Sequence, residues 1–355
     1  MAVAALAVGG IAAALYSSGG KTSTVAVAVQ RPHPAAKVVR KTKRSVSFPA
    51  GHCPLTDLPA FGGVVPQRPA LLVKIGNEPG PARPQSGLNE ADIVFDTPAE
   101  GFIMRYVAVY QCQNATALGP TRSVRWVDYH IAPEFDQPII AFAGGIPPNV
   151  SAVAGLPWLS GANLLAGQAN AAYRTTNRAP PDNLYTSTTG LYALFPKLVR
   201  APKPIFPFTP ALPKSAQPLA SAELDFSGGT NVVWNWQPAS RSWLHTYSGS
   251  TDIDTLTGQP VTATNVIIEI VPYTIGPYVE STGGTGDIQS ETTGTGLGYV
   301  LRDGHFTPIV WRRPRLTDPT TFATTSGVPV GLAPGRTWVE IMTDAQASTG
   351  IHFTR

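Results

Sequence analysis

The chain has 355 residues, of which 43% are hydrophobic and only 14% charged, so it can bury a sizeable core and is not a disordered chain. Its net charge of +4 comes wholly from the first 52 residues, which hold seven Lys and Arg and no Asp or Glu; taking seven from 26 leaves 19 basic against 22 acidic residues elsewhere, a net of −3. A mildly acidic body argues against nucleic-acid binding, which requires a basic footprint on the folded part itself.

The apolar run from Ala2 to Tyr16 is short of the roughly 20 residues a spanning helix needs and suits a signal-peptide core. Residues 1–20 are therefore read as a signal or membrane-anchor segment. The basic residues follow this run instead of preceding it, an order that by the positive-inside tendency would hold the tail in the cytoplasm; a basic region upstream of the run would restore export. Residues 21–52, rich in Pro, Ala and Lys, read as a basic flexible linker. The body begins at Cys53. Ala50-Gly51-His52-Cys53 resembles a lipid-attachment site only loosely, because His52 stands where a small residue belongs. The other cysteine is Cys112. In an exported protein a lone pair points to a Cys53–Cys112 disulfide, the alternative being two buried free thiols.

Hydrophobic periodicity predicts buried strands at Ala70–Ile75, Asp92–Phe95, Phe102–Cys112 and Ile139–Phe142. Helices are predicted over Arg122–Ile131, ended by Pro133, and over Thr186–Leu198. After a Pro-rich stretch at 201–218 the signal is almost all strand. Val232–Trp236 and Ser242–Tyr247 read as a hairpin, and Thr264–Val271 as a strand. Gly298–Arg302 and His305–Arg312 flank the turn Asp303-Gly304, and Arg336–Met342 reads as the last strand. These elements predict an α+β protein, a layered sheet–helix sandwich. A mixed α/β lobe spans residues 53–200 and a mostly β lobe spans 219–345.

No nucleophile elbow, zincin motif, Walker loop or Cys-x-x-Cys occurs, and the six histidines show no metal-ligand spacing. Gly294-Thr-Gly296-Leu-Gly298 reads as a flexible hairpin or bulge, since no helix follows it to bind phosphate. No cofactor and no metal are expected. The chemical signal is a polar set: Glu90, Asp92, Glu100 and Arg105 around the strands, and Arg122, Ser123, Arg125 and Asp128 on the predicted helix, where Arg125 and Asp128 lie one turn apart. Asn183 and Tyr185 join it from a loop. Carboxylates meeting arginines make an ion network, a site for an anionic ligand, or acid and base groups acting on a glycan.

At these residues the chain resembles the YerB-like lipoprotein family (domain of unknown function 3048). The likeness rests on Cys53-Pro-Leu-Thr-Asp-Leu-Pro, Ala82-Arg83-Pro84-Gln85-Ser86-Gly87-Leu88, Glu90-Ala91-Asp92-Ile93-Val94-Phe95 and Gly119-Pro120-Thr121-Arg122-Ser123-Val124-Arg125. It continues through Phe142-Ala143-Gly144-Gly145, Asn183-Leu184-Tyr185-Thr186-Ser187 and Leu332-Ala333-Pro334-Gly335-Arg336-Thr337-Trp338. The resemblance implies a mixed α/β segment followed by a strand-rich one, in a signal-bearing bacterial envelope protein. Relatives tend to carry Gly-Gly-x-Thr-Arg where this chain has Gly101-Phe102-Ile103-Met104-Arg105, and His where it has Asp182. The expected protein is extracytoplasmic, anchored or secreted, and non-catalytic. Its expected partner is a wall polymer, an anionic ligand or another envelope protein, held in a cleft between the lobes. The alternative is an envelope hydrolase using Glu90, Asp92 or Glu100.

Overall fold

The computed structural model describes residues 48–226, 230–279 and 284–355. The predicted signal segment and all but the last few residues of the linker lie outside these residues. Among the described residues no helix is long and apolar enough to cross a membrane.

The first half supplies β1 (Leu71–Ile75), β2 (Ile93–Pro98), β3 (Met104–Tyr110), β4 (Ile139–Phe142) and β5 (Ser160–Asn163), with helices α1 (Trp126–Ile131), α2 (Pro147–Gly155) and α3 (Thr188–Ala193). The second half supplies β6 (Ser221–Asp225), β7 (Asn231–Gln237), β8 (Ser242–Tyr247) and β9 (Asn265–Val271). It continues with β10 (Tyr273–Val279), β11 (Gly286–Ser290), β12 (Gly294–Arg302), β13 (His305–Arg313), β14 (Thr321–Thr324), β15 (Thr337–Thr343) and β16 (Ile351–Thr354).

Both halves build one large sheet, in the order β14-β13-β12-β9-β15-β2-β3-β1-β4-β5, with a short strand added beside β13. The halves meet where β15 lies parallel to β2, Ile93 opposite Thr337 through Asp96 opposite Glu340. On its other side β15 runs parallel to β9. A smaller sheet, β8-β7-β6-β16, is flanked by two short strands. It packs with α3 on one face of the large sheet, where Trp234 and Trp243 meet Tyr106, Val266 and Trp338. The other face is covered by α1 and α2 and by Ile205 and Phe206. Helices, large sheet and small sheet therefore form layers, and the fold is α+β with a mostly β second half.

Central strands are buried on both faces: every residue of β1, β2, β3 and β15 is inside. Such strands read as continuous apolar runs with no clean alternation. The hairpin at Asp303-Gly304 forms with both residues at positive φ, as a two-residue turn requires. Other boundaries differ. The glycine run 294–298 is part of β12; at Gly298 a Cβ would lie 2.1 Å from the Ile268 carbonyl oxygen, so glycine permits close strand approach there. The helix predicted over Thr186–Leu198 is the shorter α3, capped by Ser187, whose Oγ accepts from the Gly190 N–H at 3.1 Å. Arg336–Met342 is not the last strand, since β16 follows and pairs with β6.

Cys53 and Cys112 form a disulfide, with their Cα atoms 5.9 Å apart across a separation of 59 residues. Closing a loop of that length stabilises the fold by about 4 kcal/mol on the chain-entropy model. The bond also means that Cys53 offers no free thiol to an acyl chain. A Cys53→Ser/Cys112→Ser variant is expected to lose stability of that order in urea unfolding; an unchanged midpoint would show that the bond constrains nothing that folding does not already constrain.

Candidate functional site

At the end of β1 the chain turns through Gly76 to Glu78, and the predicted arginines gather around that turn. Gly76 is needed there because a Cβ would lie 2.7 Å from Arg122 Cγ. Arg122 does not sit on a helix. Residues 121–124 are extended: the Arg122 N–H donates to the Lys74 carbonyl, the Val124 N–H to Gly144, and the Thr121 N–H to Leu184. With the backbone donors taken by neighbouring segments, the helix starts only at Trp126. Arg125 and Asp128 do meet, but not through their charges. Asp128 Oδ2 accepts from the Arg125 backbone N–H at 2.7 Å, capping the first turn of α1.

The charges pair elsewhere. Arg125 holds Glu100 with two hydrogen bonds of 2.6 Å, one to each carboxylate oxygen. Arg105 reaches both Glu78 at 2.7 Å and Glu100 at 3.1 Å, and Arg122 donates to Glu78 at 2.5 Å. Lys74, buried in β1, donates to Asp128 at 2.6 Å and to Thr97 at 3.0 Å. Asp182 lies 3.8 Å from Arg122. Lys74, Arg105, Arg122 and Arg125 thus face Glu78, Glu100, Asp128 and Asp182, a network of opposite charges on the helix-covered face with Asp287 beside Arg125 and Asp128. Burial by itself would push Glu100 up, but the hydrogen bonds from Arg125 and the charges of Arg105 and Arg125 outweigh it and hold the carboxyl at about 2. Glu78 is likewise held down against its burial by Arg105 and Arg122.

One side of this network is open. A cleft of about 180 Å³ is lined by Thr121, Arg122, Ser123, Arg174, Pro181 and Leu184, among others. That volume has room for one small charged group and not for a row of sugar rings. Arg174 is exposed and held by Asn183, whose Oδ1 accepts from Nη1 at 2.6 Å. Asn183 therefore orients an arginine. Tyr185 is buried beside Tyr173, ring centres 6.1 Å apart, and backs this region without lining the cleft.

Glu90 and Asp92 are not part of the cluster. They lie at the start of β2, and Glu100 follows its end. Asp92 Oδ2 accepts from the N–H groups of Gln111 at 2.6 Å and Cys112 at 3.2 Å. Its burial raises it to about 6 even against those two donors. Glu90 shares its surroundings with Asp254 and Arg336. The three carboxyls proposed for hydrolysis have separate surroundings: Glu100 is bound at both oxygens by Arg125, Asp92 is buried at a strand end, and Glu90 lies by Asp254 and Arg336. Among the described residues no three His, Cys, Asp or Glu side chains converge as a metal set.

Two stretches of the chain match family models. Residues 55–200 correspond to the N-terminal domain, and 222–339 to the C-terminal domain, of a protein of unknown function, DUF3048. The chain belongs to the DUF3048 family. A relative in Bacillus subtilis (strain 168), described as "Putative lipoprotein YerB", is 27% identical over 307 residues, covering 83% of this chain and 87% of that one. The crystal structure of YerB protein from Bacillus subtilis superposes with a TM-score of 0.74 at 23% identity, over 86% of this chain and 99% of that one. It shares the DUF3048 fold.

Sequence reasoning missed Lys74, Glu78 and Arg174. Lys74 carried a usable signal, a single charge inside the apolar run Leu71–Ile75, which is stable only if paired. Glu78 and Arg174 lie in turn and short-strand segments that carry none. In this DUF3048 member the depressed Glu100 contributes stability that is present above its unfolded value, near about 4, and is lost as pH falls through about 2. Glu100→Gln is expected to lower stability at neutral pH by about 3 kcal/mol and to flatten the acid limb of a urea-midpoint profile. A variant profile parallel to the parent's would show that the Arg125 pair is not what holds the carboxylate down.

Proposed function

We propose that this protein is a non-catalytic binding or accessory protein of the bacterial envelope, which receives one anionic group in the cleft beside Arg122, Ser123 and Arg174. The observation that carries this reading is the pair of guanidinium groups at one small opening, each oriented by its own partner, Glu78 for Arg122 and Asn183 for Arg174. The guanidinium donors that these partners leave over, chiefly on the exposed Arg174, suit recognition of a phosphate or carboxylate oxygen. A wall polymer, a lipid head group or an acidic side chain of an envelope protein each presents such a group. The acidic body supports a partner other than nucleic acid.

The extracytoplasmic placement, anchored or secreted, is supported by the apolar start of the chain, by a disulfide that suits an oxidising compartment, and by the lipoprotein name of the Bacillus subtilis relative. Retention on purified cell wall tests the reading. Arg174→Ala, whose side chain is exposed, and Arg122→Ala are each expected to weaken binding about tenfold or more, from the loss of a charge-assisted hydrogen bond. Raising the salt concentration is expected to weaken the parent in the same direction. Equal retention of parent and both variants, with their urea midpoints close to the parent's, would remove the cleft from consideration.

A further inference from the structure

On the opposite face of the large sheet, away from the arginine network, two carboxyls sit side by side in the interior. Asp96 of β2 and Glu340 of β15 are direct partners in the parallel ladder that joins the two halves. Both are fully buried, at 0% exposure. Side chains alternate along a strand, so Thr97 faces Lys74 and the helix layer while Asp96 and Glu340 face the small sheet. Glu340 Oε1 accepts from Trp234 Nε1 at 2.7 Å. Its Oε2 and both oxygens of Asp96 have no hydrogen-bond partner among the described residues.

The nearby charges are already committed. Arg83, stacked 3.6 Å over the Tyr247 ring, is paired with Asp252 at 2.7 Å. Asp252 also accepts from His245, at 3.1 Å. From β3, Tyr106 turns its hydroxyl to Arg83 at 3.3 Å. Lys74 is held by Asp128 on the far side of the sheet. Arg83 and Asp252 cancel, as do Lys74 and Asp128, and burial lowers His245 toward its neutral form, so among the described residues no further cation is left to neutralise two carboxylates at adjacent ladder positions. Two like charges so placed do not both ionise in a dry interior.

We infer that Asp96 and Glu340 hold one proton between them, and that its loss on the alkaline side weakens the seam where the two halves of the fold are joined. Burial pushes both groups up, and Glu340 pushes Asp96 further. A carboxyl raised in the folded state gives stability that is complete below the unfolded value and is lost as pH rises through the folded one. The seam is therefore tightest in acid, weakens progressively as pH rises from the ordinary carboxylate value of about 4 toward the folded one, and has lost the whole contribution on the alkaline side.

The direct test is a titration of the full-length protein carrying ¹³C-labelled Asp and Glu carboxyls, followed by NMR from about pH 4 to about pH 9. One of the two carboxyls is expected to stay protonated past neutral pH. Asp96→Asn is expected to shift the Glu340 titration toward the ordinary carboxylate range, and Glu340→Gln to do the same for Asp96. Amide hydrogen exchange at 93–96 and 337–340, corrected for its intrinsic pH dependence, is expected to accelerate more steeply with rising pH in the parent than in either variant. Because Glu269 is also raised, to about 8, the difference between parent and variant is the measurement, not the parent slope. A parent spectrum with both carboxyls ionised at neutral pH would overturn the inference, and needs no variant to fold. A Glu340 titration unmoved by Asp96→Asn would overturn the sharing of the proton.

Discussion

The two halves of this protein are joined by a parallel pairing between a strand of the first, β2, and a late strand of the second, β15. Much else follows from that contact. Strand β15 also carries β9, and through it β12 and β13, so the second half is laid against the first as an extension of one sheet. A strand paired on both sides and covered on both faces has no solvated surface, and its residues must be apolar or have their polar atoms answered by other groups. Ile93 and Phe95 pack toward the helices with Val339 and Ile341, while Val94 and Trp338 pack toward the small sheet. The two ionisable residues of the seam, Asp96 and Glu340, break this apolar pattern as neighbours.

Strand alternation also separates the charges of the molecule into two layers. On the helix side lie Lys74, Arg105, Arg122 and Arg125 with their carboxylate partners, opening at one edge into the cleft with Arg174. On the small-sheet side lies the Asp96–Glu340 pair, enclosed by Trp234, Tyr106 and the Arg83–Asp252 pair. The first layer pairs unlike charges, so its carboxylates Glu78 and Glu100 are held down. The second is buried without a free cation among the described residues, so burial pushes both carboxyls up, and Glu340 pushes Asp96 further. These two clusters thus hold carboxyls shifted in opposite directions, Glu78 and Glu100 down beside paired cations and Asp96 and Glu340 up in an interior without them.

Departures from the family pattern acquire a physical setting here. Gly101 and Phe102 both take positive φ, 66° and 58°, in the turn that carries Glu100. Relatives tend to have glycine at the second position as well, whereas Phe102 packs its ring edge-on to Tyr273, 5.5 Å away. Asp182, where relatives often carry His, faces Arg122. It supplies a negative charge of the network, and in this chain the position is part of an ion cluster.

From its residues alone the sequence determined the strand-rich α+β class, the hairpin at Asp303-Gly304, the buried strand at Leu71–Ile75 and the basic stretch before Cys53. Each of these is written in local periodicity, turn chemistry or composition, which act between near neighbours. The cysteine pair was legible because only one pairing exists. The polar set around Arg105, Arg122 and Arg125 was legible as a set, but its pairings were not. Arg125 finds Glu100 25 residues away, Lys74 finds Asp128 54 residues away, and the helix that would have placed Arg122 beside Arg125 gives way to bonds with Lys74, Gly144 and Leu184. Tertiary structure alone decided those partners, the cleft beside Arg174 and the meeting of Asp96 with Glu340. Charges interact through space, and the distances that set their strength exist only once strands remote in the chain lie side by side.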